Sequence, residues 1–287
     1  MDLIDNAIGT PPPTRASARF GLRPRQRPAT RRPPWALIGV ATAVAAWALV
    51  ARLALWPPIF VPPPGAVLHQ LVVTSTTYDG IRGYSGSLLI EHLWATLRRI
   101  LLGFGAAVVI GIPLGLVIGS LHPARALLEP AVTFVRCLPP LAYFSLLIIW
   151  FGIDETPKVV LLSLAALPAI VLATSEAVRS VPNDRLLIVR SLGAQRVDVV
   201  RHVVLPSILP EVFTGLRVAL GFAFTTVVAA ETVNGLPGLG GMVRDAQRFN
   251  QTDVVVLGII VIGLLGIALD SALRAFDRAL VPWRGHQ

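Results

Sequence analysis

The chain is poor in the residues that carry out chemistry. Its one cysteine, Cys137, excludes an internal disulfide and a cysteine-rich metal site. Its one lysine, Lys158, follows Pro157, so there is no Gly-Lys pair and no phosphate-binding P-loop. The histidines His69, His92, His122, His202 and His286 lack metal-ligand spacing. With no H-E-x-x-H and no G-x-S-x-G nucleophile turn either, a membrane-embedded enzyme has no sequence footing. Charge is also scarce. In 287 residues, 14% charged against 54% hydrophobic and a mean hydropathy of +0.69 leave too little polar surface to cover a soluble globule. The chain therefore belongs in a bilayer. Its net charge of +9 does not form a nucleic-acid patch, because the aromatics sit in apolar runs and not among the basic residues.

Residues 1–34 interleave prolines (Pro11 to Pro13, Pro24, Pro28, Pro33, Pro34) with arginines (Arg15, Arg19, Arg23, Arg25, Arg27, Arg31, Arg32), a composition expected to stay disordered. A first membrane helix is expected over 35–56, with Trp35 and Trp56 at its two interfaces, retained and not cleaved as a signal. An external connection over 57–94 opens IFVPPPGAV and should hold a short helix after its prolines. The core, 95–287, contains five further apolar runs, at about 95–120, 130–151, 158–177, 208–233 and 254–273. The expected fold is all-α, a polytopic bundle of six transmembrane helices with both termini on one side. That side carries the arginine tail, Arg125, Arg179, Arg185, Arg190, Arg196, Arg201, Arg274, Arg278 and Arg284. The other has Arg82, Lys158, Arg244 and Arg248, so the first side is cytoplasmic by the positive-inside rule.

Some residues inside these runs are suspects. Ala107, Gly111, Gly115 and Gly119 form a small-residue stripe for close helix packing, within the chain or between copies. Pro139 and Pro140 remove two backbone donors and should kink or unwind the third span, as in broken helices that line transport paths or as a tolerated bend. Polar groups at membrane depth default to functional candidates. Arg136 precedes the double proline and is either a snorkelling or capping residue or a cationic station for an anionic solute. Tyr143 lies one turn beyond. Glu231 is near the outer end of the fifth span, as an outer gate or a headgroup-level residue. Asp270 has Arg274 four residues on and should pair with it.

The segment from Ser191 to Pro206, SLGAQRVDVVRHVVLP, is charged yet lies between apolar runs, on the cytosolic loop 178–207. Gly193 breaks the helix between Leu192 and Ala194. Val197, Val200 and Val204 then recur at helical spacing, while Asp198 can pair with Arg201 and His202, and Leu205-Pro206 should halt the segment. A short amphipathic helix across the membrane surface results. It lies on lipid or fits a groove of a soluble partner, and the glycine break and opposed charges favour the groove.

This loop resembles that of inner-membrane permeases of bacterial ATP-binding-cassette importers: Glu-Ala-Ala, three residues, Gly, nine residues, then hydrophobic, any residue, Leu-Pro. Gly193-Ala194 and Val203-Val204-Leu205-Pro206 fall at that spacing, whereas the Glu-Ala-Ala positions are Leu187, Ile188 and Val189. RCLPPLAYFSLLIIWFG at 136–152, LPEVFTGLRVALGFAFTTVVAAE at 209–231, GLGGMV at 238–243 and LVPWRG near the end resemble the taurine, alkanesulfonate and nitrate subfamily, taurine permeases above all. The resemblance implies a homodimer, two cytosolic ATPase subunits that bind ATP and Mg, an external solute-binding protein and no cofactor in this chain. ATPase coupling would fall on Arg190, Ser191, Leu192, Gly193, Ala194, Arg196, Asp198, Arg201, Leu205 and Pro206. The translocation path would take Arg136, Pro139, Pro140, Tyr143 and Glu231. The rival reading, a self-contained secondary transporter or channel, would want paired carboxylates or histidine at mid-depth and an inverted repeat, which the sequence lacks.

Overall fold

The computed structural model describes residues 35–283 apart from 79 and 236. The described residues fall into two units that meet between Ala45 and Ala46. The arginine-proline tail and Arg284 lie outside the described residues. Helix α1 (Trp35–Arg52) ends a turn before the expected Trp56. Ala54 takes a left-handed φ of 49°, and Pro57 holds the residue before it out of the helical region.

Helix α2 (Pro64–Ser75) starts on the last proline of the run Pro62–Pro64 and is the short helix expected in the 57–94 connection. A two-residue hairpin, β1 (Thr77–Tyr78) with β2 (Ile81–Arg82), follows. Helix α3 (Leu89–Ser120) starts earlier than the apolar run alone suggests. Glu91 accepts the Leu88 N–H at 2.8 Å and the Arg82 guanidinium at 2.6 Å, which gives the polar first turn its anchor.

The third apolar run is not one helix. It forms α4 (His122–Cys137) and α5 (Pro140–Phe151), bent by 98° at Leu138-Pro139, so the double proline breaks the run outright. Then come α6 (Glu155–Ser180), α7 (Asn183–Ser191), α8 (Arg196–Val199), a π turn (Val200–Val204), α9 (Leu205–Asn234), α10 (Leu239–Arg248) and α11 (Thr252–Leu280). Gln70 donates to Asp253 at 2.8 Å, tying α2 to α11. Among the described residues, four helices are long and apolar enough to cross a membrane: α3, α6, the rod Val197–Asn234 and α11. The α4/α5 pair gives a fifth if counted as one span, and α1 adds a shorter apolar helix, Ile38–Arg52. The all-α membrane fold stands, and the expected six spans require counting both.

At the centre α3 lies along α6, and α6 along α9. The small-residue stripe makes the first contact possible within one chain. A Cβ on Gly115 would stand 2.6 Å from Thr174 Cβ and 2.7 Å from the Val171 carbonyl, and one on Gly119 2.7 Å from Val178 Cβ. Gly115→Leu should therefore force α3 off α6 and destabilise by about 1–3 kcal/mol or more. Gly105→Leu, where a Cβ meets nothing within 4 Å, should be near neutral. Thermal melts in nanodiscs compare the two; equal melting would remove the stripe from the packing argument.

Candidate functional site

The loop between α7 and α9 is built on a glycine turn. Gly193 takes φ 86°, and the Ala194 N–H reaches back to the Val189 carbonyl at 3.3 Å, closing α7 in the manner of a Schellman cap. Asp198 Oδ2 then accepts the Gln195 N–H at 3.2 Å and so caps α8. The expected pairing of Asp198 with Arg201 and His202 gives way to this cap. His202 Nδ1 lies 3.1 Å from the Asp198 carbonyl oxygen, not from its carboxylate.

The apolar stripe keeps Val204 where expected, but Val199 replaces Val197 and Val200 on the buried face. Val199 and Val204 are buried, whereas Val197 is 72% exposed. Together with Leu187, Ile188 and Leu192, the last 81% exposed, Val197 leaves the tip of the loop apolar and open. Ser191 bonds the Ile188 carbonyl at 2.7 Å, Arg190 lies in α7 and Arg196 opens α8. Arg201 is exposed, and Leu205 packs on the core beside Val204 and Ile208.

Pro206 does not halt the segment. The π turn spans the place where an α-helix would miss a donor. The Leu205 N–H reaches the Val200 carbonyl five residues back, and the proline follows in the first turn of α9. The loop therefore opens a rod of 38 residues from Val197 to Asn234, about 57 Å at ~1.5 Å per residue, and not a separate surface helix.

At the far end of that rod lies Glu231, 1% exposed, in a buried charged cluster. Arg99 of α3, 2% exposed, donates Nη1 to Glu231 Oε1 at 2.6 Å. It also grips Glu155 at the start of α6 in bidentate fashion, Nε to Oε2 at 2.6 Å and Nη2 to Oε1 at 2.7 Å. Lys158 adds a contact to Glu155 at 3.2 Å. Thr96 donates to Glu231 at 2.8 Å and accepts the Leu239 N–H at 3.0 Å, and the Gly240 N–H donates to Glu231 Oε2 at 2.8 Å.

The Gly238 N–H reaches His92 Nδ1 at 3.0 Å, leaving Nε2 to donate to the Tyr84 carbonyl at 3.2 Å. A Cβ on Gly238 would come within 2.6 Å of Arg99 Nη1 and one on Gly240 closer still to the Val228 carbonyl oxygen, which accounts for two of the glycines of the GLGGMV run. Burial, with Asp245 and Asp253 nearby, pushes the Tyr84 phenol up to about 12, so it stays neutral there.

Three helices and the α9–α10 turn thus share one clamp. Of the residues read from sequence as a path, only Glu231 lies in it. Arg136 is exposed in the last turn of α4, Pro139 and Pro140 form the break, and Tyr143 packs by Phe144, Leu147, Leu161 and Ala230. Sequence reading missed His92, Thr96, Arg99 and Glu155, and took Lys158 only as an external charge. The signal was present, since His92, Thr96, Arg99 and Gly103 continue the Ala107-Gly111-Gly115 stripe at helical spacing. Asp270 pairs with Arg274 at 3.0 Å, as expected, and also with Arg217 at 3.2 Å.

Residues 111–282 match the family model described as the binding-protein-dependent transport system inner membrane component. The chain belongs to this family. The permease is 43% identical over 246 residues to the taurine transport system permease protein TauC of Escherichia coli K12, covering 86% of this chain and 88% of TauC. It is 34% identical over 185 residues to the bicarbonate transport system permease protein CmpB of Synechococcus elongatus, 64% of this chain and 66% of CmpB. Its fold is shared with a chain of the inward-facing MetNI methionine ABC transporter, at TM-score 0.53 and 24% identity, covering 65% of the permease and 95% of that chain. The permease is a multi-pass inner-membrane subunit of an ATP-binding-cassette importer, a transport component and not an enzyme.

Proposed function

We propose that this permease moves a small sulfonate, taurine or a close relative, as two copies joined to two cytosolic ATPase subunits and fed by an external solute-binding protein. Its termini and its Gly193 loop face the cytosol, by the arginine distribution. The observation that carries the mechanism is the continuity of backbone from the loop to the clamp. The exposed tip at Leu187, Ile188, Leu192 and Val197 offers an apolar docking surface to the ATPase. Behind it the rod ends at Glu231, which Arg99 ties to α3 and α6.

Movement of the ATPase dimer therefore displaces one end of a rod whose other end organises the opposite face, and the two states differ in contacts there, as coupling requires. The identity to TauC supports taurine, and CmpB, named for bicarbonate, makes a second oxyanion-bearing solute the one to compare with it. The test is reconstitution of the permease with its ATPase and binding protein in proteoliposomes, following labelled taurine, nitrate and bicarbonate. Taurine should accumulate only with ATP and all partners present. Accumulation without the ATPase subunits would overturn the coupling, and preference for nitrate or bicarbonate would overturn the solute.

A further inference from the structure

The end of the bundle opposite the Gly193 loop carries two cationic cavities, and they differ in how their charges are engaged. In the first, about 650 Å³, Arg82 is paired to Glu91 at 2.6 Å and Arg99 to Glu155, so only Arg98 is uncommitted. The second, about 550 Å³, lies between the end of α9 and the exposed face of α10 and is lined by Thr232, Val243, Arg244, Gln247 and Arg248. It contains no carboxylate. Two acids nearby, Glu231 and Asp245, line with Arg244 and Arg248 a smaller adjoining cavity of about 230 Å³, and each is engaged by another group. Asp245 accepts the Ser85 hydroxyl at 2.5 Å, and Glu231 is held by Arg99, Thr96 and Gly240.

Arg244 is oriented by donating through Nη1 to the Thr232 carbonyl, which leaves its other N–H groups for the cavity. Arg248, one helical turn on, makes no ion pair among the described residues. Buried Met242 and Ala246 fix the opposite face of α10, so the arginines and Gln247 are presented together. Two guanidinium groups and a primary amide, in a cavity whose own lining has no acid, suit a compact oxyanion, which guanidinium holds by paired hydrogen bonds.

We propose that this cavity is an oxyanion subsite of the permease, which receives the sulfonate end of the solute on the binding-protein side. This rests on the sulfonate reading above for the identity of the anion. The site lies on the later turns of α10, and the helix joins it to the clamp, because the entry to α10 gives Gly238 and Gly240 to His92 and Glu231. An anion drawing Arg244 and Arg248 together would act on the backbone that the clamp holds.

The experiment uses the whole complex in nanodiscs and measures binding of methanesulfonate, and of inorganic sulfate, by titration at low ionic strength. Arg248→Gln should weaken both about tenfold or more, the loss of one charge-assisted contact. Arg248→Lys should recover part of the affinity, and Arg98→Gln, an equal loss of charge outside the cavity, should change little. Unchanged affinity in Arg248→Gln, or an equal effect in Arg98→Gln, would overturn the subsite.

Repeating the titration with and without phosphatidylglycerol in the disc separates solute from lipid phosphate. Binding that survives anionic lipid supports the solute assignment, and binding abolished by it overturns that assignment. Arg248-dependent sulfonate binding in a complex that fails to accumulate taurine would sink the transport reading while upholding the site.

Discussion

Arg99→Met should be the most damaging single change in this permease, cutting stability by about 3–5 kcal/mol and with it the amount of folded protein in the membrane. It strands Glu231, which is buried and would keep only Thr96 and the Gly240 N–H. Glu231→Gln should cost less, because Arg99 keeps its bidentate grip on Glu155 and the amide oxygen can still accept from Gly240 or Thr96. Glu155→Gln should cost least, since that carboxylate is half exposed and water can take its place. Melting of the three variants in nanodiscs tests the order. If Glu155→Gln melts below Arg99→Met, Arg99 is not the hub of the cluster. The double change Arg99→Met with Glu231→Met removes both charges together and should recover much of the lost stability, because a buried ion pair rarely beats a packed apolar one. If the double variant folds yet fails in transport, the clamp serves the cycle; full transport by it would reduce the clamp to a packing device.

Why that clamp escaped the sequence follows from its geometry. Arg99 and Glu231 are 132 residues apart, and periodicity reports which residues share a face of one helix, not which faces meet. The glycine stripe was legible because its cause is local: small residues at every fourth position, wherever the neighbour comes from. The break at Pro139-Pro140 and the turn at Gly193 were legible for the same reason, each being dictated by the backbone of one or two residues. Pro206 misled because the local rule, a missing donor ends a helix, has an exception in the π turn, which absorbs one residue of register and lets the rod run on. Of the expected valine stripe only Val204 is buried. Val199 and Val204 face the core because the π turn rotates the helix relative to a uniform 3.6-residue repeat.

The same loop gives the prediction with the largest functional effect. Gly193→Asp should abolish solute-stimulated ATP hydrolysis in the reconstituted complex while leaving the permease inserted and folded. A Cβ at this position meets nothing within 4 Å, so the new side chain clashes with no part of the chain itself. The left-handed φ of 86° adds backbone strain of about 1–2 kcal/mol for an ordinary residue, less for Asp or Asn. The carboxylate would then stand next to Leu192 on the loop that exposes Leu187, Ile188 and Val197, and docking of a partner there would strip its water at a cost of several kcal/mol. Gly193→Asn has nearly the same shape and tolerance for that φ but no charge, and should keep most of the stimulation. A tenfold or greater gap between Asp and Asn would locate the defect at a desolvated contact with the ATPase and not in the turn. Equal stimulation in both would mean that the tip of this loop is not where force enters the rod, and the path from Leu192 through α9 to Glu231 would lose its starting point.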